Sequence, residues 1–499
     1  MSIGFKTITF AAAFLTLQGN LLSAENVNVQ VDFNKIAGPM KAVHGVNNAP
    51  MRLRNPDTSK IWEYEEAGIP YMRTHDTYGA WGGTHFVDVP NVFPDFDADE
   101  TDPKNYDFAF TDAYLKSVVA AGTKIYYRLG VTIENNWRVK AYNIHPPKDF
   151  AKWARICEHI VRHYNEGWAN GFKWGIEYWE IWNEPENPPM WMGSREQFFE
   201  LYRVAANHLK RCFPDIKVGG YGSCGFYAVD DKRLKTNAFQ MSFISWFEEF
   251  CRYVTDEKTS APLDFFSWHQ YVQVSPRRII THADYVRKTL DSFGLKNTES
   301  HFNEWNYVGP EWDDFDSMLK ARGAACISEA FCLMQKSSSL DKAMYYDARP
   351  TTKYGGLFLL RGKEKRTVTY FAFKLWNEVY KLGTAVESSS SAQDFGIVAA
   401  KSPDGRKAVF LANNSAKTRR VALKLFGAEG EMMDVRLLDD SHSSEEVAYT
   451  AAPGTVVLKP YMVAVVETPG IYTKSAVRKA GPKIFAGQDA AGANERKGR

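Results

Sequence analysis

The sequence predicts an α/β fold: a (β/α)₈ TIM barrel with a C-terminal antiparallel β-sandwich domain. Three observations predict it. Between about residues 43 and 382, eight short apolar runs alternate with helical patterns, the mark of βα units around a parallel sheet. After about residue 383 the helical period is gone and strand-like runs follow one another. The length of 499 residues suits one large barrel plus a smaller partner.

The elements follow in order. Lys6 precedes an apolar run over residues 8–17, and the small residues Ser23 and Ala24 come after it. This resembles a secretory signal peptide over residues 1–24, cleaved near Ala24, although Leu22 stands where a small residue is usual. The run is too short to span a bilayer. A secreted or periplasmic protein with no membrane span is therefore expected. Residues 26–33 alternate strictly, with Val27, Val29, Val31 and Phe33 apolar. They read as a half-buried strand that pairs with strands at the far end of the chain.

The eight barrel runs are residues 43–47, 71–75, 124–130, 178–183, 217–221, 265–270, 301–304 and 342–347. Between them, Phe150, Trp153, Ala154, Cys157, Ile160, Val161 and Tyr164 share one helical face, with Pro147 and Asp149 as start signals. Phe198, Leu201, Tyr202, Ala205 and Leu209 repeat the pattern. Eight such units close into a barrel more naturally than into an open sheet. The later strands are residues 395–400, 407–413, 421–425, 432–438, 455–458 and 463–467, separated by turns such as Pro403-Asp404-Gly405. The serine run 388–391 reads as a loop. Residues 34–382 thus form the barrel, 26–33 with 383–470 the β domain, and 471–499 a basic, Gly- and Ala-rich disordered tail.

A formal net charge of +2 gives no basic excess that would point to nucleic acid or a membrane surface. Six cysteines permit disulfides in an exported chain. However, Cys157, Cys212, Cys251 and Cys326 lie in helical patterns and no CxxC pair exists, so free thiols and no zinc or redox site are expected. His159 and His163 with Glu158 lack the HExxH order and read as a solvated helix face. The run Gly219-Gly220-Tyr221-Gly222 carries no nucleotide-binding pattern and reads as a tight turn that leaves room at the barrel rim. Cys224 has no partner spacing for thiol catalysis. Fourteen tryptophans suit either a large core or a cleft lined with rings for sugar faces. Trp137, Trp191 and Trp312, in predicted loops, are equally sugar platforms or loop packing.

Active sites of such barrels sit at the C-terminal ends of the strands. The fourth run leads into Trp182-Asn183-Glu184-Pro185, and the seventh into Asn303-Glu304-Trp305-Asn306. Two glutamates thus emerge on roughly opposite sides of one barrel mouth. Glycosidic bond cleavage needs this pair: one carboxylic acid protonates the leaving oxygen, and the other carboxylate attacks or activates water. The short reach suits the retaining geometry, with carboxyls about 5–5.5 Å apart. The acid must keep its proton near neutral pH. Proximity to the second carboxylate, with partial burial among Trp179 and Trp182, is expected to raise its pKa. Single glutamates are usually solvated or ion-paired, the reading for Glu180, Glu186, Glu299 and Glu311.

Trp-Glu-Ile-Trp-Asn-Glu-Pro at residues 179–185 resembles the acid/base signature of a large clan of barrel glycoside hydrolases. Within it, Tyr71-Met72-Arg73-Thr74-His75 and Asn303-Glu304-Trp305-Asn306 are similar to family 39, which holds β-xylosidases and α-L-iduronidases. The resemblance implies Glu184 as acid/base and Glu304 as nucleophile. It also implies Asn183 on the sugar 2-hydroxyl, where an Asx-type bond to the local turn is the plainer alternative. His75 falls where the family places a sugar-binding histidine. Arg73 reads as an orienting partner for the nucleophile, and needs a carboxylate partner of its own inside a barrel. His269 and Tyr271 match a His-x-Tyr pair; the tyrosine would hydrogen-bond the nucleophile, and His269 is otherwise a satisfied core histidine. Three features depart from the pattern. Strand eight offers Met344-Tyr345-Tyr346-Asp347 where a tryptophan floor is common, so Tyr346 or Trp305 would serve. The loop Asp347-Ala348-Arg349-Pro350 differs, and Asp76 after His75 would bind a sugar hydroxyl. These departures bear on the substrate, not on the chemistry.

The function expected is a retaining glycosidase, exo-acting on an oligosaccharide or glycoside and β-xylosidase-like. No metal or organic cofactor is implied. An endo-acting glycanase of the same clan and a catalytically inactive, carbohydrate-binding barrel are the alternatives.

Overall fold

The computed structural model describes residues 24–48, 61–75, 86–132, 142–273, 275–311, 314–349, 354–359, 365–452 and 454–470. Most of the expected leader (1–23) and the tail (471–499) lie outside them. Among the described residues no helix is long and apolar enough to cross a membrane.

After a first strand β1 (Glu25–Pro39), the strands β2 (Gly45–Asn47), β3 (Tyr71–Arg73), β4 (Lys124–Leu129), β5 (Tyr178–Ile181), β6 (Lys217–Ser223), β7 (Phe265–Val272), β8 (Glu299–Tyr307) and β9 (Lys342–Tyr345) pair in chain order, all parallel. β9 returns to β2 and closes the barrel. Each predicted run overlaps one of these strands, and β6, β7 and β8 extend past the runs predicted for them. The helix Phe150–Asn165 starts at Asp149, whose carboxylate accepts from the Lys152 N–H, and buries the face predicted for it. The helix Arg195–Cys212 starts with a capping box of Ser194 and Gln197.

Strand side chains alternate between the barrel interior and the helix layer. The interior therefore rises in layers. Tyr71, Tyr126, Tyr178, Phe265 and Met344 form an apolar lower cluster. Two residues further along three of the same strands come Arg73, Glu180 and Ser267, all fully buried. The odd-numbered partners Trp179 and Ile181, with Phe266 and Trp268, face outward into the main core.

The β domain is one curled nine-stranded sheet. After a two-stranded ribbon of β10 (Phe358–Leu359) and β11 (Lys365–Arg366), it adds β12 (Thr384–Ser390), β13 (Phe395–Lys401), β14 (Lys407–Asn413), β15 (Arg419–Phe426), β16 (Met433–Leu438), β17 (Ser443–Ala451), β18 (Thr455–Leu458) and β19 (Val463–Glu467) to β1. It is antiparallel except where β1 runs parallel to β15. Two expectations need correction. The serine run is not a loop: Ser388, Ser389 and Ser390 pair with Val31, Gln30 and Val29. The first strand also continues to Pro39, because register shifts after Asp32 and Ile36 break its alternation without ending its pairing. The strand β17 has no apolar alternation to announce it; its exposed face carries Val447 and Tyr449.

Buried charges tie the two units together. Arg436 of β16 bonds Glu467 at 2.7 Å and also Glu378 of the helix Val368–Tyr380. Glu329, on the helix Ala321–Lys336, is 2% exposed and faces Asn414 of the β domain at 2.8 Å. Burial pushes its carboxyl up to about 7, and its nearest cation, Arg277, is 3.7 Å away. A raised carboxyl destabilises the fold as pH climbs from its unfolded value of 4.5 through 7. Glu329→Gln is thus expected to stabilise the protein by about 3 kcal/mol at pH 8 and hardly at all at pH 4. Urea unfolding at both pH values checks this; equal effects at both would contradict it.

Candidate active site

Glu184 and Glu304 share one pocket of about 610 Å³ with His75, Asn183, Cys224, Tyr271, Tyr346 and Tyr354. A carboxylate oxygen of each and a ring nitrogen of His269 lie within 4.8 Å of one another. Both glutamates are nearly buried, at 8% and 7% exposed.

The chain delivers Glu304 through a bulge. Trp268 pairs with Phe302, yet the next residue, His269, pairs with Glu304. Asn303 is the extra residue, which lets Asn303 and Glu304 both reach the interior. Two donors and two ring nitrogens then surround the Glu304 carboxylate. Tyr271 donates its hydroxyl to Oε1 at 2.7 Å. Around Oε2 stand Arg73 at 3.3 Å, His75 at 3.4 Å and His269 at 3.6 Å. They fix its orientation toward the pocket.

Arg73 is fully buried and touches no solvent. Its guanidinium donates to Glu180 at 2.6 Å, Asn183 at 2.7 Å, Asn47 at 3.0 Å and Glu304 at 3.3 Å. Glu180, read from sequence as ordinary, is its charge partner. Ser267 and Asn303 complete that carboxylate, each at 2.6 Å. Burial pushes Glu180 up, but the Arg73 charge and these donors hold it below the usual carboxylate range. Gly222, at φ +64°, makes room here: a Cβ would come within 3.3 Å of Arg73, His269 and Asn183. The glycine run thus lies inside the barrel strand and serves packing, not a turn alone.

The protonation of Glu184 differs from expectation. Trp179 and Trp182 face outward, with Trp182 packed on Trp153 and Trp191, so they do not shield it. Its Oε1 is instead 2.7 Å from His269 Nδ1, and Asn187 donates to Oε2 at 3.0 Å. Burial pushes Glu184 up, but the His269 hydrogen bond and charge outweigh it and hold the carboxyl below its ordinary value. Burial pushes His269 down, and the charges of Glu304 and Glu184 more than reverse this. The proton therefore rests on His269, and the two groups titrate as a pair. Their mutual stabilisation is fullest between about pH 4.5 and 6.5. It fades in acid as Glu184 protonates and in base as His269 loses its proton.

Asn183 lines the pocket while its side-chain oxygen accepts from Arg73 at 2.7 Å. Tyr346 is in the pocket wall, edge-on to His75 at 5.5 Å. Trp305 is not a floor: it is 1% exposed and packs on Phe331 and Tyr345. Being next to Glu304, it takes the opposite face of the strand. Trp191 is buried against Trp182 and Phe198 rather than presented to a sugar. Asp76, Trp137 and Trp312 lie outside the described residues. His163 is no solvated helix residue; it is 1% exposed and bonded to Asp112 at 3.0 Å. Tyr227, Asp231, Gln273 and Arg278 also line the pocket and carry no signal in the sequence, since they reach it from segments that follow β6 and β7.

Among the described residues, two clusters could offer metal ligands: Glu184 with His269 and Glu304, and Glu158 with His208 and Cys212. In the first, the His269–Glu184 bond occupies the facing atoms. In the second, Arg162 bonds Glu158 at 2.8 Å and Arg211 bonds His208 at 2.9 Å, so both groups are already engaged by cations. All six cysteines are free.

A family model described as glycosyl hydrolases family 39 matches residues 57–307, just over half of the chain. The chain belongs to this family. Residues 397–466 match a model of the C-terminal immunoglobulin-like domain of D-apionate lactonase. A beta-xylosidase of Geobacillus stearothermophilus is 24% identical over 226 residues, 43% of this chain and 38% of that protein. One from Caldicellulosiruptor saccharolyticus is 28% identical over 163 residues, 32% of this chain and 26% of that protein. These matches thus span well under half of either relative. Among solved structures, a glucosidase from Croceicoccus marinus has a TM-score of 0.69 at 22% identity, covering 89% of this chain and 98% of that one. A family 39 β-xylosidase from Caulobacter crescentus has a TM-score of 0.62 at 18% identity, covering 88% and 99%. These likenesses show the fold.

Proposed function

We propose that this family 39 member is a retaining, exo-acting glycoside hydrolase that removes terminal sugars from oligosaccharides, with β-xylosides the first substrates to try. The observation that carries the reading is the approach of Glu184 and Glu304 to within 4.8 Å across one pocket. That gap fits direct attack on the anomeric carbon and is too short for an intervening water. A Glu304 oxygen attacks the anomeric carbon as the glycosidic bond breaks, and the leaving oxygen takes a proton from Glu184. That proton comes to Glu184 from His269, 2.7 Å away, so the pair is left without it once the glycosidic bond has broken. Water then gives a proton to Glu184 and attacks the glycosyl ester, which frees Glu304. The β-xylosidase relatives support the substrate class, and the leader-like residues 1–24 support export.

Assay of nitrophenyl xyloside, arabinoside, galactoside, glucoside and uronide tests the substrate. NMR of the first-formed anomer tests the mechanism, since retention is expected and inversion would exclude it. Reducing-end analysis of digested polymer separates terminal from internal cleavage. Glu184→Gln should slow glycosides with poor leaving groups about 10²- to 10⁴-fold and spare dinitrophenyl glycosides. Equal slowing of both classes would remove Glu184 from the proton-donor role.

A further inference from the structure

Glu184 sits in an unusual backbone. It has φ +47°, two residues after Trp182 at φ +75°. Left-handed conformations at such residues are strained and persist only where the surroundings dictate them. Main-chain bonds dictate part of this one. The Glu184 N–H reaches the Gly222 carbonyl at 2.9 Å and the Tyr221 carbonyl at 3.2 Å. The side-chain link across the same gap is Glu186. Its Oε1 accepts from the Ser223 hydroxyl at 2.7 Å and the Cys224 N–H at 2.9 Å. Cys224 in turn presents its thiol to Glu184.

As a single glutamate, Glu186 reads from sequence as solvated or ion-paired. It is neither. It is 6% exposed, no cation pairs with it among the described residues, and its Oε2 is buried without a partner. The titratable groups whose charge reaches it are Glu184 on its own turn and Tyr221 and Cys224 at the end of β6. Beyond Glu184 stands His269 of β7.

We propose that Glu186 is a positioning residue for Glu184: it clamps the Glu184 turn to the end of β6 and, on ionising, holds the proton on the Glu184–His269 pair. The inference rests on Glu184 being the proton donor. Burial pushes the Glu186 carboxyl up to about 7, against its donors from Ser223 and Cys224. It is therefore neutral in acid and gains charge through the neutral range. A negative charge there opposes loss of the proton from its neighbours, so it extends activity toward alkaline pH.

Glu186→Gln, Glu186→Ala and Glu184→Gln are compared with wild type on an alkyl glycoside and a dinitrophenyl glycoside of the same sugar. Glu186→Ala should lose about 10²-fold in kcat on the alkyl glycoside and less than about 3-fold on the dinitrophenyl one, with KM nearly unchanged. Glu186→Gln, which keeps the acceptor, should recover most of the rate. Its alkaline limb of kcat/KM should move to lower pH, because the charge is gone. A purely structural residue would slow both substrates alike and leave the limb in place, and that result overturns the proposal. If Glu186→Ala does not fold, the limb of Glu186→Gln decides alone. If Glu184→Gln shows no leaving-group dependence, the proton-donor reading and this proposal fall together. If it does and the Glu186 variants do not, the proposal alone fails.

Discussion

Glu304→Ala is expected to lose about 10⁴-fold or more in turnover, and added azide is expected to restore it with inverted product. The physical basis is the fixed direction of the Glu304 carboxylate. Tyr271 holds one oxygen at 2.7 Å, while Arg73, His75 and His269 crowd the other. Removing the carboxyl removes the attacking atom and opens a space lined by those same groups. A small anion such as azide fits that space and attacks from the same face. The product is then a glycosyl azide of opposite configuration to the substrate. Dinitrophenyl glycosides, whose leaving group needs no proton, should respond most. Labelling by a 2-deoxy-2-fluoro glycoside, located by mass spectrometry, should fall on Glu304. A variant that keeps more than about a tenth of wild-type turnover would eliminate Glu304 as nucleophile.

Arg73→Met is expected to destabilise the fold by about 3–5 kcal/mol and to impair catalysis as well. Arg73 and Glu180 are both fully buried at 2.6 Å. With the cation gone, Glu180 keeps Ser267 and Asn303 as donors but no opposite charge. An uncompensated carboxylate in the barrel interior is the main cost. The same guanidinium also bonds Asn183 and Glu304, so the pocket loses two of its supports at once. Methionine keeps much of the volume and makes no bond, which separates charge from packing. Pairing it with Glu180→Gln should recover part of the stability, because the orphaned charge disappears, yet should not recover the rate. Chemical denaturation of the two variants checks this. A single variant within about 1 kcal/mol of wild type would show that the central charges are not a compensated pair.

Much of this protein can be read from its residues in order. The eight barrel strands announce themselves because a strand buried on both faces needs a short, continuous apolar run, and helices packed outside it need an apolar stripe. Glu184 and Glu304 stand out because the runs end at them, at the end of the barrel where strand ends converge. Tyr271 and His75 can be placed by stepping two residues along a strand. That same step would have kept Trp305 out of the site and put Glu180 into the interior.

Other features depend on contacts between strands distant in sequence. The bulge at Asn303 exists only in the pairing of β7 with β8. The partnership of Arg73 with Glu180 spans 107 positions of chain. The charge on Glu184 follows from a histidine 85 residues away, whose bond reverses the effect of burial. Local periodicity encodes which face a side chain takes, because that is set by its own backbone. Which group it meets there, and which of the two holds the proton, is set by distances across the closed barrel.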